Sequence, residues 1–219
     1  MIESQRINEY STGEEIANGI THGTGILIST AGMALLIVFA ALYGTASHVV
    51  SCAIFGVTLV LLYTASTLYH SFQKPRLKSI FKVIDHSCIY TLIAGTYTPF
   101  MLVTVKGALG WTIFAVIWAL AVTGIIFKIF FIDRFKILST LAYILMGWLV
   151  LIAIKPLLQN LPGGGIVLLV SGGLAYTIGT IFYAWKQLPY NHAIWHMFVL
   201  AGSVCHLFAV MLYVVPIKL

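Results

Sequence analysis

Polar residues in this chain come in short clusters, and between the clusters run apolar stretches long enough to cross a bilayer. A helix needs about 20 apolar residues to span a hydrocarbon core of roughly 30 Å. Barrel strands would alternate polar and apolar positions, and these stretches do not. The pattern therefore predicts seven helical spans, at about 19–42, 48–70, 84–105, 109–131, 137–154, 165–185 and 192–215. A short polar segment, 1–18, precedes one seven-helix domain over 19–216, because the connections are too short to hold a separate soluble unit. Within the third span Pro99 removes a backbone donor and predicts a kink. Gly19 with Gly23, and Gly172, Gly173 and Gly179, suit close approach between helices. The triplet at 163–165 reads as a flexible turn.

Composition turns these helices into an integral membrane protein. With 60% hydrophobic and 8% charged residues among 219, the chain has too little polar surface to coat a soluble globule. The net charge of +6 then reads as basic loops beside anionic lipid, with no nucleic acid as partner. Arg6, Lys74, Arg76, Lys78, Lys82, Lys128, Arg134, Lys136 and Lys186 fall on one side, and Lys106, Lys155 and Lys218 on the other. That bias predicts a cytoplasmic amino terminus and an outside carboxyl terminus. The basic turn around Pro75 is expected to set topology and to meet lipid phosphates. Cys52, Cys88 and Cys205 lie in apolar spans as small hydrophobes, without a disulfide framework. The opening residues, with Glu3, Arg6 and Glu9, do not resemble a cleavable signal peptide, so the first span is expected to direct insertion.

The chemistry gathers at span ends. In the last span His192 and His196 stand four apart, which puts both imidazoles on one helix face at metal-ligand spacing. Span two ends with Ser66 and His70, also four apart, and span three opens with Asp85. The hairpin between them returns His70 and Asp85 to similar depth. His70, His192 and His196 can thus supply three nitrogens at one membrane level, leaving a fourth zinc position for water or substrate. Asp85 can act as general base or orient a ligand, and Ser66 can hold the same water or stabilise an oxyanion. Each histidine also has an ordinary reading as an interfacial or hydrogen-bonded residue. Glu15, Asn18 and His22 form an inward-facing polar cluster or, for Glu15, a group at the water interface. His86, rotated about 100° from Asp85, is expected at the interface. His206 lies too deep to join the site and reads as a hydrogen-bonded core residue. Spans four to six offer little chemistry, and Trp111, Trp118, Trp148 and Trp185 read as anchors or filler.

Glu15, Asn18, Thr21-His22, Ser66-xxx-His70, Asp85, Gly95-xxx-Pro99 and His192-xxx-His196 together resemble the hemolysin III family. That family is the bacterial branch of the progestin and adipoQ receptor group, within a superfamily that includes alkaline ceramidases. The resemblance covers nearly the whole chain. It implies a seven-helix protein of a bacterial plasma membrane, with zinc on His70, His192 and His196, Asp85 bound through water and Ser66 close by. The related ceramidases imply hydrolysis of lipid amides, and membrane lipids are the expected partners. The family name instead implies lysis of red cells through pores. A receptor or sensor with structural zinc is a third expectation.

Overall fold

The computed structural model describes residues 10–132 and 134–216. Arg6 and Lys218, which entered the charge count, and Asp133 lie outside them, as does most of the polar segment before residue 10. Among the described residues seven helical spans are long and apolar enough to cross a membrane.

The first helix, α1 (Thr12–Tyr43), starts earlier than the apolar run alone predicts. Ser11 caps it: the Glu14 amide donates to Ser11 Oγ at 3.3 Å, and the Ser11 amide donates to the Glu14 carboxylate at 2.9 Å. This reciprocal pair satisfies two otherwise orphaned amides. At 32 residues the helix is about 48 Å long, so it outruns the hydrocarbon core and carries its polar turns beyond it. Next come α2 (Ala46–Ser71) and α3 (Pro75–Pro99). At Pro99 the α-helical pattern gives way to a π-helical run, Phe100–Val105, closed by the Lys106 amide donating to the Met101 carbonyl at 2.9 Å. Span four is α4 (Gly107–Phe131).

The fifth span is longer and less regular than expected. It consists of α5 (Lys136–Trp148), a 3-10 stretch Leu149–Ala153 and α6 (Ile154–Asn160). Pro156 contributes to the break, since it has no amide hydrogen to donate to the Ile152 carbonyl and its ring crowds that carbonyl, while it fits the first turn of α6. Tyr97 repairs the exposed backbone. Its hydroxyl lies 2.8 and 2.9 Å from the Met146 and Gly147 carbonyls and accepts from the Val150 amide at 2.6 Å. Last come α7 (Gly163–Ala184) and α8 (Asn191–Ala209), the latter continuing as a π-helical run, Val210–Val214. The glycines at 163–165 therefore open a helix, with no separate turn.

Helix α1 packs on α2, α2 on α3, α3 on α4, and α7 on α8, which returns to α1; α5 and α6 pack more lightly. Leu36, Phe55, Tyr63, Phe100, Ile117 and Leu157 are fully buried in the shared core. Leu27, Phe130, Ile137 and Leu145 are at least 70% exposed, an apolar girdle that water would penalise and lipid would not. Close approach between helices occurs at Gly25 against Tyr63, Gly124 against Tyr90 and Gly172 against His206. Gly19 and Gly23, expected to serve this purpose, have only ordinary contacts with Ser71 and Thr67, because α1 and α2 approach more closely at Gly25.

Candidate metal centre

Four helix ends converge. His70 lies in the last turn of α2, His192 and His196 in the first two turns of α8, Glu15 in the first turn of α1, and Lys78 in the first turn of α3. All five side chains are buried. His70, His192 and His196 each offer a ring nitrogen, and these nitrogens lie within 4.8 Å of one another.

The surroundings fix which nitrogens remain available. His70 Nδ1 lies 2.6 Å from Glu15 Oε2 and donates to that carboxylate, whose other oxygen accepts from Lys78 Nζ at 2.6 Å. A neutral imidazole that donates through Nδ1 keeps its lone pair on Nε2, and His70 Nε2 has no hydrogen-bond partner. His196 follows the same rule. Its Nδ1 lies 3.3 Å from the Asn18 carbonyl and 3.2 Å from Thr21 Oγ1. Thr21 already donates to the carbonyls of Ala17 and Asn18 at 2.9 Å, so it accepts from the ring. Neither nitrogen of His192 has a hydrogen-bond partner among the described residues. Asn18 Nδ2 stands 3.4 Å from His70 Nδ1, and the His22 ring stacks on His196 at 3.4 Å between centroids. Tyr10 covers the cluster, with its ring 5.0 Å from that of His192.

This arrangement fits a zinc ion. Zinc–nitrogen bonds of ~2.0–2.1 Å put tetrahedral ligands roughly 3.4 Å apart, so small ring movements suffice for three buried imidazoles with matched tautomers. A histidine ligand held by a carboxylate through its other nitrogen is the usual supporting arrangement.

Asp85, His22, His192 and His196 also line one cavity of about 170 Å³. Ser66 is the polar neighbour of the Asp85 carboxylate, although its hydroxyl falls short of hydrogen-bond geometry with any group. The structure thus gathers the histidines with Glu15, Asn18 and His22, and places Asp85 and Ser66 together beside the cavity.

Three expectations need correction. Lys78 does not face lipid phosphates. It is 3% exposed and turned inward to Glu15, because a long side chain in the first turn of α3 reaches the carboxylate across the hairpin. Lys128, counted with the topological charges, is 2% exposed and lines the cavity. His86 is not confined to the interface: it lines the same cavity as Asp85, with Nδ1 3.5 Å from the Asp85 carboxylate and 2.9 Å from the Lys82 carbonyl. The cavity wraps around the middle of α3, so residues 100° apart both border it. His206 lines the same cavity farther along α8, with Nε2 3.0 Å from the Leu169 carbonyl.

Comparison with known proteins shows the family. The family model described as "Haemolysin-III related" matches residues 10–207. The chain belongs to that family. It is 56% identical over 203 residues to "Hemolysin-3" of Bacillus cereus, covering 93% of each chain. It is 54% identical over 208 residues to "Hemolysin-3 homolog" of Bacillus subtilis, covering 95% of this chain and 98% of that one. A more distant relative, human "Monocyte to macrophage differentiation factor", is 29% identical over 206 residues, or 91% of this chain and 84% of the other. No solved structure matches significantly. This haemolysin-III-related chain is therefore a multi-pass membrane protein whose triple-histidine group can hold a metal.

Proposed function

We propose that the protein is a zinc-dependent hydrolase of lipid amide or ester bonds, acting at the cytoplasmic end of a bundle in a bacterial plasma membrane. The observation that carries this reading is the cluster of three buried histidines, two of which, His192 and His196, also line a largely apolar cavity together with Asp85. His70, His192 and His196 hold the metal. Zinc bound there supplies Lewis acidity towards a carbonyl oxygen and a water. Asp85 takes the proton of the attacking water as general base, and the Ser66 hydroxyl beside it is placed to hold that water. Glu15 keeps His70 in the Nδ1–H tautomer, and the apolar walls accept an acyl chain while excluding bulk water. Orientation follows from the basic residues at the α2–α3 and α7–α8 turns, the same end as the histidines.

The test uses purified protein, replete with zinc, in lipid nanodiscs with an N-acyl sphingoid amide and a diacylglycerol as probes. Free fatty acid should appear, and Asp85→Asn should slow its release by roughly 10²-fold or more with zinc content unchanged. No release from either probe by metal-loaded wild type would overturn the proposal. The printed name of the Bacillus cereus relative favours a second reading, cytolysis through a pore. Steady currents from pure protein in planar bilayers would establish it; the apolar cavity walls predict none.

A further inference from the structure

Farther along the cavity, away from the histidine cluster, a second polar group interrupts the apolar wall. His206 on α8 and Tyr176 on α7 both line it, with ring centroids 5.5 Å apart. His206 is 6% exposed, and its Nε2 donates to the Leu169 carbonyl at 3.0 Å. That bond fixes the tautomer, so Nδ1 carries the lone pair, and Nδ1 has no hydrogen-bond partner among the described residues. A side chain at Gly172 would meet Nε2 and Cδ2, so this edge of the ring faces α7 and Nδ1 points away from it. Tyr176 has the opposite surplus. Tyr63 Oη donates to Ser203 Oγ at 2.7 Å, and Tyr176 Oη stands 2.9 Å from the same oxygen. The Ser203 and Tyr176 protons thus have one hydrogen bond between them, and of these two residues only Tyr176 borders the cavity. The wall here offers an unused acceptor beside an unused donor.

We propose that this pair binds a hydroxyl group part-way along the hydrocarbon chain of the ligand. The inference names the substrate class of the hydrolase, a lipid with a hydroxylated acyl chain, and rests on that reading. A hydroxyl both donates and accepts, so it satisfies His206 Nδ1 and Tyr176 at once. A keto oxygen takes only the tyrosine proton. A plain methylene chain leaves both groups unpaired, which is costly in an apolar surrounding. Depth fixes the position along the chain. The ten residues of α8 from His196 to His206 correspond to a rise of about 15 Å. An extended alkyl chain advances about 1.3 Å per bond, from a bond length of roughly 1.5 Å. With the acyl carbonyl at the metal, the hydroxyl therefore falls about twelve carbons along.

The experiment measures binding rather than turnover, with free acids that contain no ester or amide to cleave. Full-length, zinc-loaded protein in phosphatidylcholine nanodiscs is titrated with octadecanoic acid and with its 12-hydroxy, 2-hydroxy and 12-oxo derivatives. Each is expressed as a mole fraction of the nanodisc lipid, so that partition into the bilayer cancels. Fluorescence of Trp148 and Trp195, both on the cavity wall, reports occupancy. The 12-hydroxy acid should bind about tenfold more tightly than octadecanoic acid, from two hydrogen bonds, and the 2-hydroxy and 12-oxo acids should fall short of it severalfold. Tyr176→Phe removes the donor, while His206→Gln keeps an amide donor for Leu169 and removes the Nδ1 acceptor. Each should reduce the preference severalfold without weakening octadecanoic acid. Tyr176→Phe leaves the Leu169 contact intact, so it reports even where the His206 variant fails to fold. Equal affinities for the four acids would mean that the ligand chain does not pair with these groups and would overturn the assignment, as would a preference unchanged in Tyr176→Phe. A 2-hydroxy or 12-oxo acid that binds as tightly as the 12-hydroxy acid would overturn it too. An intact, variant-sensitive preference without any lipid cleavage would retain the hydroxyl subsite and remove only the hydrolase.

Discussion

At the residue scale, the Glu15 carboxylate organises the candidate metal centre. It joins His70 to Lys78 with two 2.6 Å contacts in a buried setting. Removing one partner leaves the other charge buried and uncompensated, which is costly, and frees His70 to rotate or change tautomer. Glu15→Gln and Lys78→Met should therefore each weaken zinc binding about 10–100-fold, measured by competition with a chelator of known affinity. Unchanged affinity in both would show that the network is incidental to the site. The clustering of His70, His192 and His196 was legible because four-residue spacing and hairpin geometry determine which side chains share a face and a depth. Lys78 was harder to read, since a lysine in a basic turn looks solvated. Its spacing of seven from Asp85 was the available signal: two helical turns put both on one face. Lys128 had a similar signal. It continues the buried stripe Gly110, Ile113, Ile117, Ala121 and Gly124 on α4, against the expectation attached to its charge. Nothing in the sequence pointed to Tyr10.

At the element scale, prolines mark where the helices depart from regularity, and side chains repair the departures. Tyr97 is the clearest case, because one phenol serves two carbonyls and an amide at the start of the 3-10 stretch in span five. Tyr97→Phe removes the phenol's hydrogen bonds to this backbone and should destabilise the protein by ~1–3 kcal/mol, seen as a lower thermal midpoint in detergent. No shift would mean that the backbone finds other partners. The change at Pro99 was legible because proline removes a donor wherever it sits in a helix. Its form, a π-helical run to Val105, was not, since that depends on how the freed carbonyls pair. The interruption of span five was missed because Leu149–Ala153 is as apolar as its flanks, and hydropathy says nothing about helix type.

At the scale of the whole molecule, apolar run length was enough to read seven spans, because the bilayer sets one length for all. It gave the helix ends less well. Helix α1 extends through its polar turns, where capping rather than hydropathy decides the boundary, and those turns supply Glu15, Asn18 and His22 to the centre. The charge asymmetry predicts the orientation: a label-accessible cysteine placed beside Lys155 should react with an impermeant reagent from outside intact cells, and one beside Lys186 should not. The reverse pattern would invert the molecule and put the metal centre at the outer face. Whichever way it lies, the account depends on the three histidines holding a metal. The most direct measurement is the metal content of protein purified without added metal, wild type beside His196→Ala, by elemental mass spectrometry. One zinc per chain in the wild type, lost in the variant, is the predicted result. A wild type that carries no metal, even after equilibration with zinc, would contradict the account and leave His70, His192 and His196 as buried polar residues of the bundle.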